Sequence, residues 1–412
     1  MPTVAHFIAY TGTAMGGPVV GLAGYTALLT EAGYGVTVYS ARAAADGKSV
    51  ALDARVRCVQ APAASWAGLR RAPALWQQAG AAPLELLHSH GLWTDVNRLA
   101  GDLARRRHLP HLLAPCGMLA TDALRYHAWK KIPARLWFQN RALREAHCLH
   151  AKSEKEYVDI RAFGLRAPVA IVANPILPPP WYGTAGSVGD AVGSCADGAL
   201  PQGDAQPFAR EFRHAFRIPE ARRIVLFLGR LHPVKGPARL VEAWSVVQAR
   251  HPEWLLVLAG PDQGGYRRAI EALAVTRGCK DRLSFTGELH GAHRWGALAA
   301  AEVFVMPSDF ENFGNAIVEA MWCGVPVITT TGTPWQALSS SGAGWWVKPT
   351  AESVASALDE ALALSAAQRL TMGGRALNLA RQFAPEQAVQ DLIQVYQWLL
   401  AAGARPACVK AD

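Results

Sequence analysis

Short apolar runs alternate with helical segments along almost the whole chain, and this alternation constrains the fold more than any other feature. Runs of strand length occur at Val4–Tyr10, Val36–Ser40 and Leu84–His88, among segments of helical composition. The pattern resumes at Arg223–Leu228 and continues to Trp345–Val347. Strands and helices that alternate at this spacing predict parallel α/β sheets with right-handed crossovers.

The chain divides into two halves of this kind. With 412 residues it is too long for one ordinary core. Residues 174–210 interrupt the alternation with three consecutive prolines at 178–180, followed by a run rich in Gly, Ala, Ser and Asp. This run has too few apolar side chains to build a core. We therefore predict domains at 1–173 and 211–384, a linker or insertion at 174–210, and a final amphipathic helix in 385–412.

Composition narrows the classes of function. The seven cysteines are scattered without a CxxC pair, which indicates reduced thiols in a cytoplasmic protein and argues against a cysteine zinc site. The N-terminus has no basic region of a signal peptide, and no apolar run reaches the length of a membrane span. The net charge of +9 favours an anionic partner: phosphates, an anionic membrane surface or nucleic acid. No nucleic-acid-binding signature supports the last of these.

Ser308–Gly324 carries two carboxylates, Glu311 and Glu319, separated by seven residues. Glu311 lies in a loop after an apolar strand, and Glu319 lies in the helix that follows. Loops at the carboxyl end of parallel strands bind ligands in open α/β sheets, and a glycine at the start of the helix, Gly314, leaves backbone N–H groups available to an anion. The alternative is an ordinary strand-to-helix turn with two solvated glutamates.

A second strand-to-helix loop, Gly229–Gly236, carries Arg230 and Lys235. A guanidinium and an ammonium group beside a helix N-terminus suit a diphosphate. The loop is not a Walker A loop, since GxxxxGK[ST] is absent. The alternative is a solvated surface loop.

The first half offers weaker candidates. Gly16 and Gly17 follow the first strand and allow close approach of the backbone to an anion, although the absence of GxGxxG disfavours a nicotinamide site. His88 and His90 would share one face of a strand. If the strand ends at His88, His90 projects toward a sugar or phosphate; the alternative is a structural histidine. A third metal ligand, an acidic metal-binding pair and an activated Ser or Cys are not evident, so no metal is expected.

A basic and aromatic region, Arg125–Arg144, is the remaining candidate. It interleaves aromatic and basic side chains, namely Tyr126, Trp129, Trp137 and Phe138 with Lys130, Lys131, Arg135, Arg141 and Arg144. With Arg105–Arg107 these side chains could face an anionic membrane. A packed pair of helices with a solvated basic face is the alternative.

In combination, these residues resemble the retaining GT-B glycosyltransferases of family 4. Glu311 and Glu319 fit the family's E-x7-E signature, and Gly229-Arg230 with Lys235-Gly236 fits its diphosphate loop. The strand ends Ala259-Gly260-Pro261 and Phe285-Thr286-Gly287, the Gly16-Gly17 loop and His90 also fit. The resemblance spans nearly the whole chain. The segments His88–Trp93, Pro115–Leu119 and Lys130-Lys131 are similar to a subgroup of bacterial surface-polysaccharide assembly.

The resemblance implies two Rossmann-like domains that face each other across a cleft, with the last helix crossing back to the N-terminal domain. Arg230 and Lys235 would stabilise the donor diphosphate without a metal, Glu319 would hold the ribose, and Glu311 and His90 would contact the donor sugar. The implied catalytic residues are Glu311, His90, Arg230 and Lys235. The implied donor site comprises Gly16, Gly17, Arg230, Lys235, Pro261, Leu289, Phe313, Gly314, Asn315, Ala316 and Glu319.

The expected function is retaining transfer of a hexose-type sugar from an NDP-sugar to a lipid-linked or saccharide acceptor, with no cofactor. The site of action would be the cytoplasm or the inner face of the cytoplasmic membrane. The alternatives are a GT-B-like UDP-sugar epimerase and a non-catalytic nucleotide-sugar-binding partner. One departure from the family is Ala173-Asn174-Pro175, where a Pro-Asn-Gly turn is usual, and it bears on the geometry of the interdomain linker.

Overall fold

The chain forms two compact units, Met1–Ile176 with Phe383–Asp412 (unit 1) and Leu177–Gln382 (unit 2). The structure, a computed structural model, describes residues 2–12, 16–42, 49–62, 64–66, 69–125, 128–182, 204–401 and 403–411. Most of the predicted insertion, residues 183–203, and Tyr126 lie outside the described residues. The chain passes between the units at Ile176–Leu177 and Gln382–Phe383, whereas the sequence places these crossings near residues 173 and 384.

The strands follow the predicted alternation. They are β1 (Thr3–Ile8), β2 (Gly35–Arg42), β3 (Arg57–Pro62), β4 (Ala64–Trp66), β5 (Leu69–Arg71), β6 (Leu86–His90), β7 (His111–Ala114), β8 (Cys148–Ala151), β9 (Val169–Ile171), β10 (Arg223–Leu228), β11 (Trp254–Ala259), β12 (Leu283–Gly287), β13 (Ala301–Met306), β14 (Val327–Thr330), β15 (Gly344–Val347) and β16 (Val409–Lys410).

The helices lie between them. They are α1 (Gly17–Glu31), α2 (Pro73–Ala81), α3 (Asp95–Arg107), α4 (Thr121–Arg125), α5 (Ala128–Ala134), α6 (Asn140–Glu145), α7 (Glu154–Ala162), α8 (Gln206–Ala215), α9 (Pro237–Val247), α10 (Tyr266–Thr276), α11 (Gly291–Ala300), α12 (Asn315–Trp322), α13 (Ala337–Ser340), α14 (Ala351–Ala363), α15 (Ala366–Arg381) and α16 (Pro385–Leu399), with a π-helical turn at Arg135–Gln139 and 3-10 turns at Pro180–Tyr182, Pro233–Lys235 and Lys280–Arg282.

Unit 1 contains an eight-stranded sheet in the order β16-β9-β8-β7-β6-β1-β2-β3. Every neighbouring pair is parallel except β16 with β9, which is antiparallel. The predicted return of the C-terminal helix to the N-terminal domain is confirmed. Helix α16 buries Leu392, Val395 and Tyr396 in the same cluster as Leu22 and Tyr25 of α1.

Unit 2 contains a six-stranded parallel sheet in the order β12-β11-β10-β13-β14-β15. From the centre of the sheet, β10, β11 and β12 follow one another toward one edge, and β13, β14 and β15 follow one another toward the opposite edge. The order therefore reverses between β10 and β13, and the loops after these two strands flank the point where such sheets bind ligands. The predicted fold class, an α/β chain with two Rossmann-like domains, is confirmed.

Some elements differ from the predictions. The strand predicted at Leu84–His88 is Leu86–His90, so His90 lies inside it. Helix α8 begins at Gln206, inside the stretch predicted as a linker, and packs so closely on α11 that a Cβ at Gly296 would lie 2.5 Å from the carbonyl oxygen of Phe208. The segment predicted as a returning helix ends at Leu399 and adds β16 at the edge of the sheet.

Candidate active site

In unit 2, the loops after β10 and β13 meet at the point where the strand order reverses. Asp309 N–H, after β13, donates a 2.8 Å hydrogen bond to the carbonyl of Val234, after β10. Gly236 lies even closer, because a Cβ at this position would come within 2.1 Å of the carbonyl oxygen of Pro307. Gly236 also has a φ of 71°, so only glycine suits both the conformation and the contact. This junction fixes the backbone on either side of Lys235 and Glu311.

Lys235 and Glu311 form an ion pair across that junction. Glu311 is buried, and the same carboxylate oxygen accepts a 3.1 Å hydrogen bond from Ser308 Oγ. The backbone N–H of Glu311 donates to the carbonyl of Gly332 at 3.0 Å, which ties the loop to the turn after β14. The two residues that the sequence proposes for diphosphate and sugar thus meet in one place.

Arg230 lies at the end of β10 beside the end of β11. Its guanidinium donates a 2.6 Å hydrogen bond to the side-chain oxygen of Gln263, and the next residue, Leu231, donates from its N–H to the carbonyl of Pro261 at 2.9 Å. Burial lowers the pKa of the nearby His232, and the positive charges of Arg230 and Lys235 lower it further. The loop is therefore an electropositive part of unit 2.

Glu319 lies in α12, where it is buried and forms an ion pair with Arg294 of α11. Leu289, another predicted donor-site residue, is buried just before α11. Sequence reasoning missed Arg294, because a lone arginine in a helix carries no signal of its partner 25 residues away.

The start of α12 lies directly after the loop that carries Glu311. Gly314 precedes it with a φ of 85°, and no side chain caps the helix. Trp335 Nε1 donates to the carbonyl of Phe313, and the two rings lie 5.6 Å apart, which holds Phe313–Gly314 in place. Asn315 and Ala316 form the first turn. A helix start of this kind attracts anions.

In unit 1, the structure corrects the interpretation of His90. Because β6 continues to residue 90, His90 does not project from a loop; it is 3% exposed and shares a buried face with His88. Its Nε2 lies 3.0 Å from Nδ1 of His6 on β1. Burial lowers the pKa of His90 well below its usual value, and the charge of Lys152 adds to this effect. At neutral pH, His90 is therefore a neutral imidazole.

His88 belongs to a hydrogen-bonded chain whose direction can be derived. The carbonyl of Val172 can only accept, so the His150 Nε2 that lies 2.9 Å away is the donor. Nδ1 of His150 then accepts from His88 Nε2 at 3.0 Å, and Nδ1 of His88 accepts from the hydroxyl of Tyr396 at 2.7 Å. Lys152 Nζ lies 3.1 Å from His150 Nδ1. Burial lowers the pKa of Lys152 to about 8.

Three histidines in this region have the spacing of metal ligands, which sequence reasoning missed. Nitrogen atoms of His6, His88 and His90 lie within 4.8 Å of one another, because β1 and β6 are neighbours and His6 is in register with His88. Both ring nitrogens of His88, however, are engaged by Tyr396 and His150. The buried Lys152 ammonium also opposes a second cation there. The cluster fits a neutral hydrogen-bonded network better than a metal.

Gly16 ends the loop after β1 with a φ of 65°, and its carbonyl accepts the N–H of Val19 at 3.2 Å. Gly17 is the first residue of α1. Residues 13–15 of this loop lie outside the part of the chain that the structure describes.

A fold of two α/β domains, each built on a mainly parallel sheet, is that of the GT-B glycosyltransferases. Residues 208–377 match the family "Glycosyl transferases group 1", and residues 16–175 match the "Glycosyl transferase 4-like domain". The chain belongs to the group 1 glycosyl transferases.

Individual relatives agree with this assignment. A D-inositol 3-phosphate glycosyltransferase of Corynebacterium urealyticum is 30% identical over 194 residues, 45% of this chain and 46% of that protein. The lipopolysaccharide core biosynthesis mannosyltransferase LpsB of Rhizobium meliloti is 27% identical over 206 residues, 47% of this chain and 57% of that protein. The match thus spans about half the length of the curated relatives.

A solved structure with the same fold is Anabaena Alr3699/HepE in complex with UDP-glucose. It has a TM-score of 0.73 at 17% identity and covers 97% of this chain and 100% of that one. Among the helices that the structure describes, none has the length and apolar composition needed to cross a bilayer.

Proposed function

We propose that this chain transfers a hexose-type sugar from an NDP-sugar to a lipid-linked or saccharide acceptor, with retention of the anomeric configuration. The observation that carries the proposal is the ion pair of Lys235 with Glu311 at the strand-order reversal of unit 2. It puts a cation for a diphosphate and a carboxylate for sugar hydroxyls side by side, at the edge where open sheets bind nucleotides.

The positive charges of the loop after β10 would stabilise the leaving diphosphate. In the transfer, the bond between the sugar C1 and the diphosphate oxygen breaks, and a bond forms between C1 and the acceptor oxygen. The acceptor's proton passes to the departing diphosphate, which acts as the base in attack from the same face. Arg230, Lys235 and the start of α12 would stabilise the developing charge, a task that needs no metal ion. We accordingly propose that the enzyme has no cofactor.

The two glutamates orient the donor rather than act as acid and nucleophile. Glu311 already forms an ion pair with Lys235 and accepts a hydrogen bond from Ser308. A sugar hydroxyl that binds Glu311 would therefore join an existing polar network. Glu319 is buried and paired with Arg294, which holds its carboxylate ready for the ribose hydroxyls.

The names of two relatives and the net charge support the proposed acceptor class. The relative LpsB is named as a mannosyltransferase of lipopolysaccharide core biosynthesis, and Alr3699/HepE was solved with UDP-glucose. Together with the net charge of +9, these names favour polysaccharide or lipopolysaccharide assembly at the cytoplasmic face of a membrane, with the enzyme as a peripheral protein.

The decisive experiment is a thermal-shift screen against UDP-, GDP-, ADP- and dTDP-sugars, followed by turnover assays with the donor that stabilises the protein. Lys235→Ala should abolish the shift, whereas Lys280→Ala, at an exposed position of the same unit, should retain it. Proton NMR of the product should show the donor's anomeric configuration. Isomerisation of the donor without an acceptor would instead identify an epimerase, and donor binding without any turnover would identify a non-catalytic partner.

A further inference from the structure

The segment Ala128–Glu145 of unit 1 runs as one helical rod through α5, a π turn and α6. Helical backbone continues across both junctions, since Ala134 has φ −63° and ψ −40° and Asn140 has φ −59° and ψ −38°. We call this segment the π-helical rod. It does not take part in the candidate active site of unit 2.

The rod is apolar on two opposite sides. Ala134, Phe138 and Ala142, spaced four residues apart, are buried against unit 1. Trp129, Ile132 and Leu136 recur at helical spacing on the outward side, where they are 70%, 52% and 76% exposed, and Trp137 is 50% exposed. The π turn shifts the phase, so that Leu136 and Trp137 both face outward while Phe138 and Gln139 are both buried.

This clustering is unusual within the molecule. Among the described residues, ten large hydrophobic side chains are exposed, and four of these ten lie within residues 129–137. Several others, such as Val158, Val246, Val275 and Leu370, are far apart in sequence. Scattered exposed side chains need no explanation, whereas a contiguous apolar patch marks an interaction surface.

The charge around the patch is mostly positive. Residues 121–145 contain six Lys or Arg and two Asp or Glu. The neighbouring end of α3 adds the exposed Arg105, Arg106 and Arg107, and it is tied to the rod by Asp102, which pairs with both Arg105 and Arg141 at 3.3 Å. The surface around the rod therefore carries a surplus of positive charge.

We propose that the π-helical rod docks on an anionic lipid bilayer, with Trp129, Ile132, Leu136 and Trp137 entering the headgroup region and the surrounding arginines meeting lipid phosphates. Tryptophan and aliphatic side chains flanked by basic residues are what interfacial helices use. The buried cores of protein interfaces, in contrast, are depleted of charged residues. The proposal deepens the proposed function, since it brings the enzyme to a lipid-linked acceptor.

The test is co-sedimentation of the full chain with vesicles. We expect binding to vesicles of about three parts phosphatidylcholine to one part phosphatidylglycerol, little binding to phosphatidylcholine alone, and release by salt. The triple variant Trp129→Ser/Ile132→Ser/Leu136→Ser should lower the partition coefficient at least about tenfold. The matched control Val246→Ser/Val275→Ser/Leu370→Ser replaces three apolar side chains of unit 2 that are also more than half exposed, and it should bind like the wild type.

A charge variant separates the two contributions. Arg106→Gln/Arg144→Gln should lower binding to anionic vesicles about tenfold, and Arg268→Gln/Lys280→Gln, also at exposed positions, should not. Equal binding by the apolar triple variant and the wild type would overturn the proposal. So would a wild-type dimer that the same variant converts to a monomer without any change in vesicle binding.

Failure of the proposed function would be visible separately. Lys235→Ala should bind vesicles like the wild type while losing the thermal shift with the donor. The apolar triple variant should show the reverse, provided that its circular dichroism and melting temperature match those of the wild type.

Discussion

The hydroxyl of Tyr396, in the last helix, lies 2.7 Å from Nδ1 of His88, which is 308 residues earlier in the chain. Both groups are fully buried, and the hydroxyl is the donor, because the chain of bonds that ends at the Val172 carbonyl fixes the proton positions. The returning segment is therefore joined to the centre of the unit 1 sheet by a specific polar contact as well as by apolar packing.

Tyr396→Phe should destabilise unit 1 by about 1–3 kcal/mol, because it leaves the acceptor nitrogen of His88 buried without a donor. Urea unfolding followed by fluorescence measures this loss. Tyr34→Phe is a control on a half-buried tyrosine near the same helix and should cost less. An unchanged midpoint for Tyr396→Phe would contradict the derived direction of the chain.

Stability should fall as the pH is lowered below 6.5. Burial lowers the pKa of His6 to about 3 and lowers the pKa values of His88, His90 and His150 well below their usual range. Between about pH 6.5 and about pH 3 the unfolded chain therefore binds more protons than the folded one, and each such group contributes up to about 1.4 kcal/mol per pH unit. Urea unfolding at a series of pH values should show the slope. It should be shallower in His6→Gln and unchanged in His214→Gln, which alters an exposed side chain.

Activity and melting temperature should be insensitive to metal ions. If His6, His88 and His90 form a neutral network, EDTA should leave turnover unchanged and added Zn²⁺ should not raise the melting temperature. A Zn²⁺-dependent rise that disappears in His6→Gln would show that the three nitrogens bind a cation despite the nearby Lys152.

Lys235→Ala and Glu311→Ala should each lower kcat by at least about a hundredfold. Each variant also leaves the other charge without its ion-pair partner, so the double variant should be less stable than wild type by less than the sum of the single losses. Steady-state kinetics and thermal melts together measure both effects. Wild-type turnover in either single variant would rule out the assigned site.

Arg294→Met should raise the KM for the donor more than it changes kcat. Arg294 pairs with Glu319 and is proposed to position that carboxylate for the ribose, far from the reacting bond. A KM close to that of the wild type in Arg294→Lys would support the idea that Arg294 positions Glu319 through its charge. A fall in kcat at constant KM would place Arg294 closer to the chemistry.

Local patterns allowed much of this fold to be predicted. The strand Arg223–Leu228 and the helix Asp95–Arg107 have the predicted bounds, because each has an uninterrupted pattern with clear ends. Helix α3 even begins with a capping box at Thr94. Strand β3, helix α2 and helix α11 were missed, because their short runs carry mixed periodicity and gain order from the neighbours on which they pack.

The candidate site also contains residues that the sequence could predict and residues that it could not. Arg230, Lys235, Glu311 and Glu319 belong to contiguous patterns and could be chosen from sequence. Arg294, Gln263 and His6 could not, since each acquires its role only from a neighbouring element that the fold places beside it. The predicted roles of the site residues, including that of His90, remain predictions.

The split of unit 1 between the two ends of the chain has a consequence for biosynthesis. Unit 2 is one continuous stretch, whereas unit 1 needs Tyr396 and β16 to complete its core and cover the edge of β9. A ribosome therefore releases every residue of unit 2 before unit 1 can close. During that interval the histidines and the apolar face under α16 stay exposed, so nascent unit 1 is the part of the chain that chaperones would need to protect.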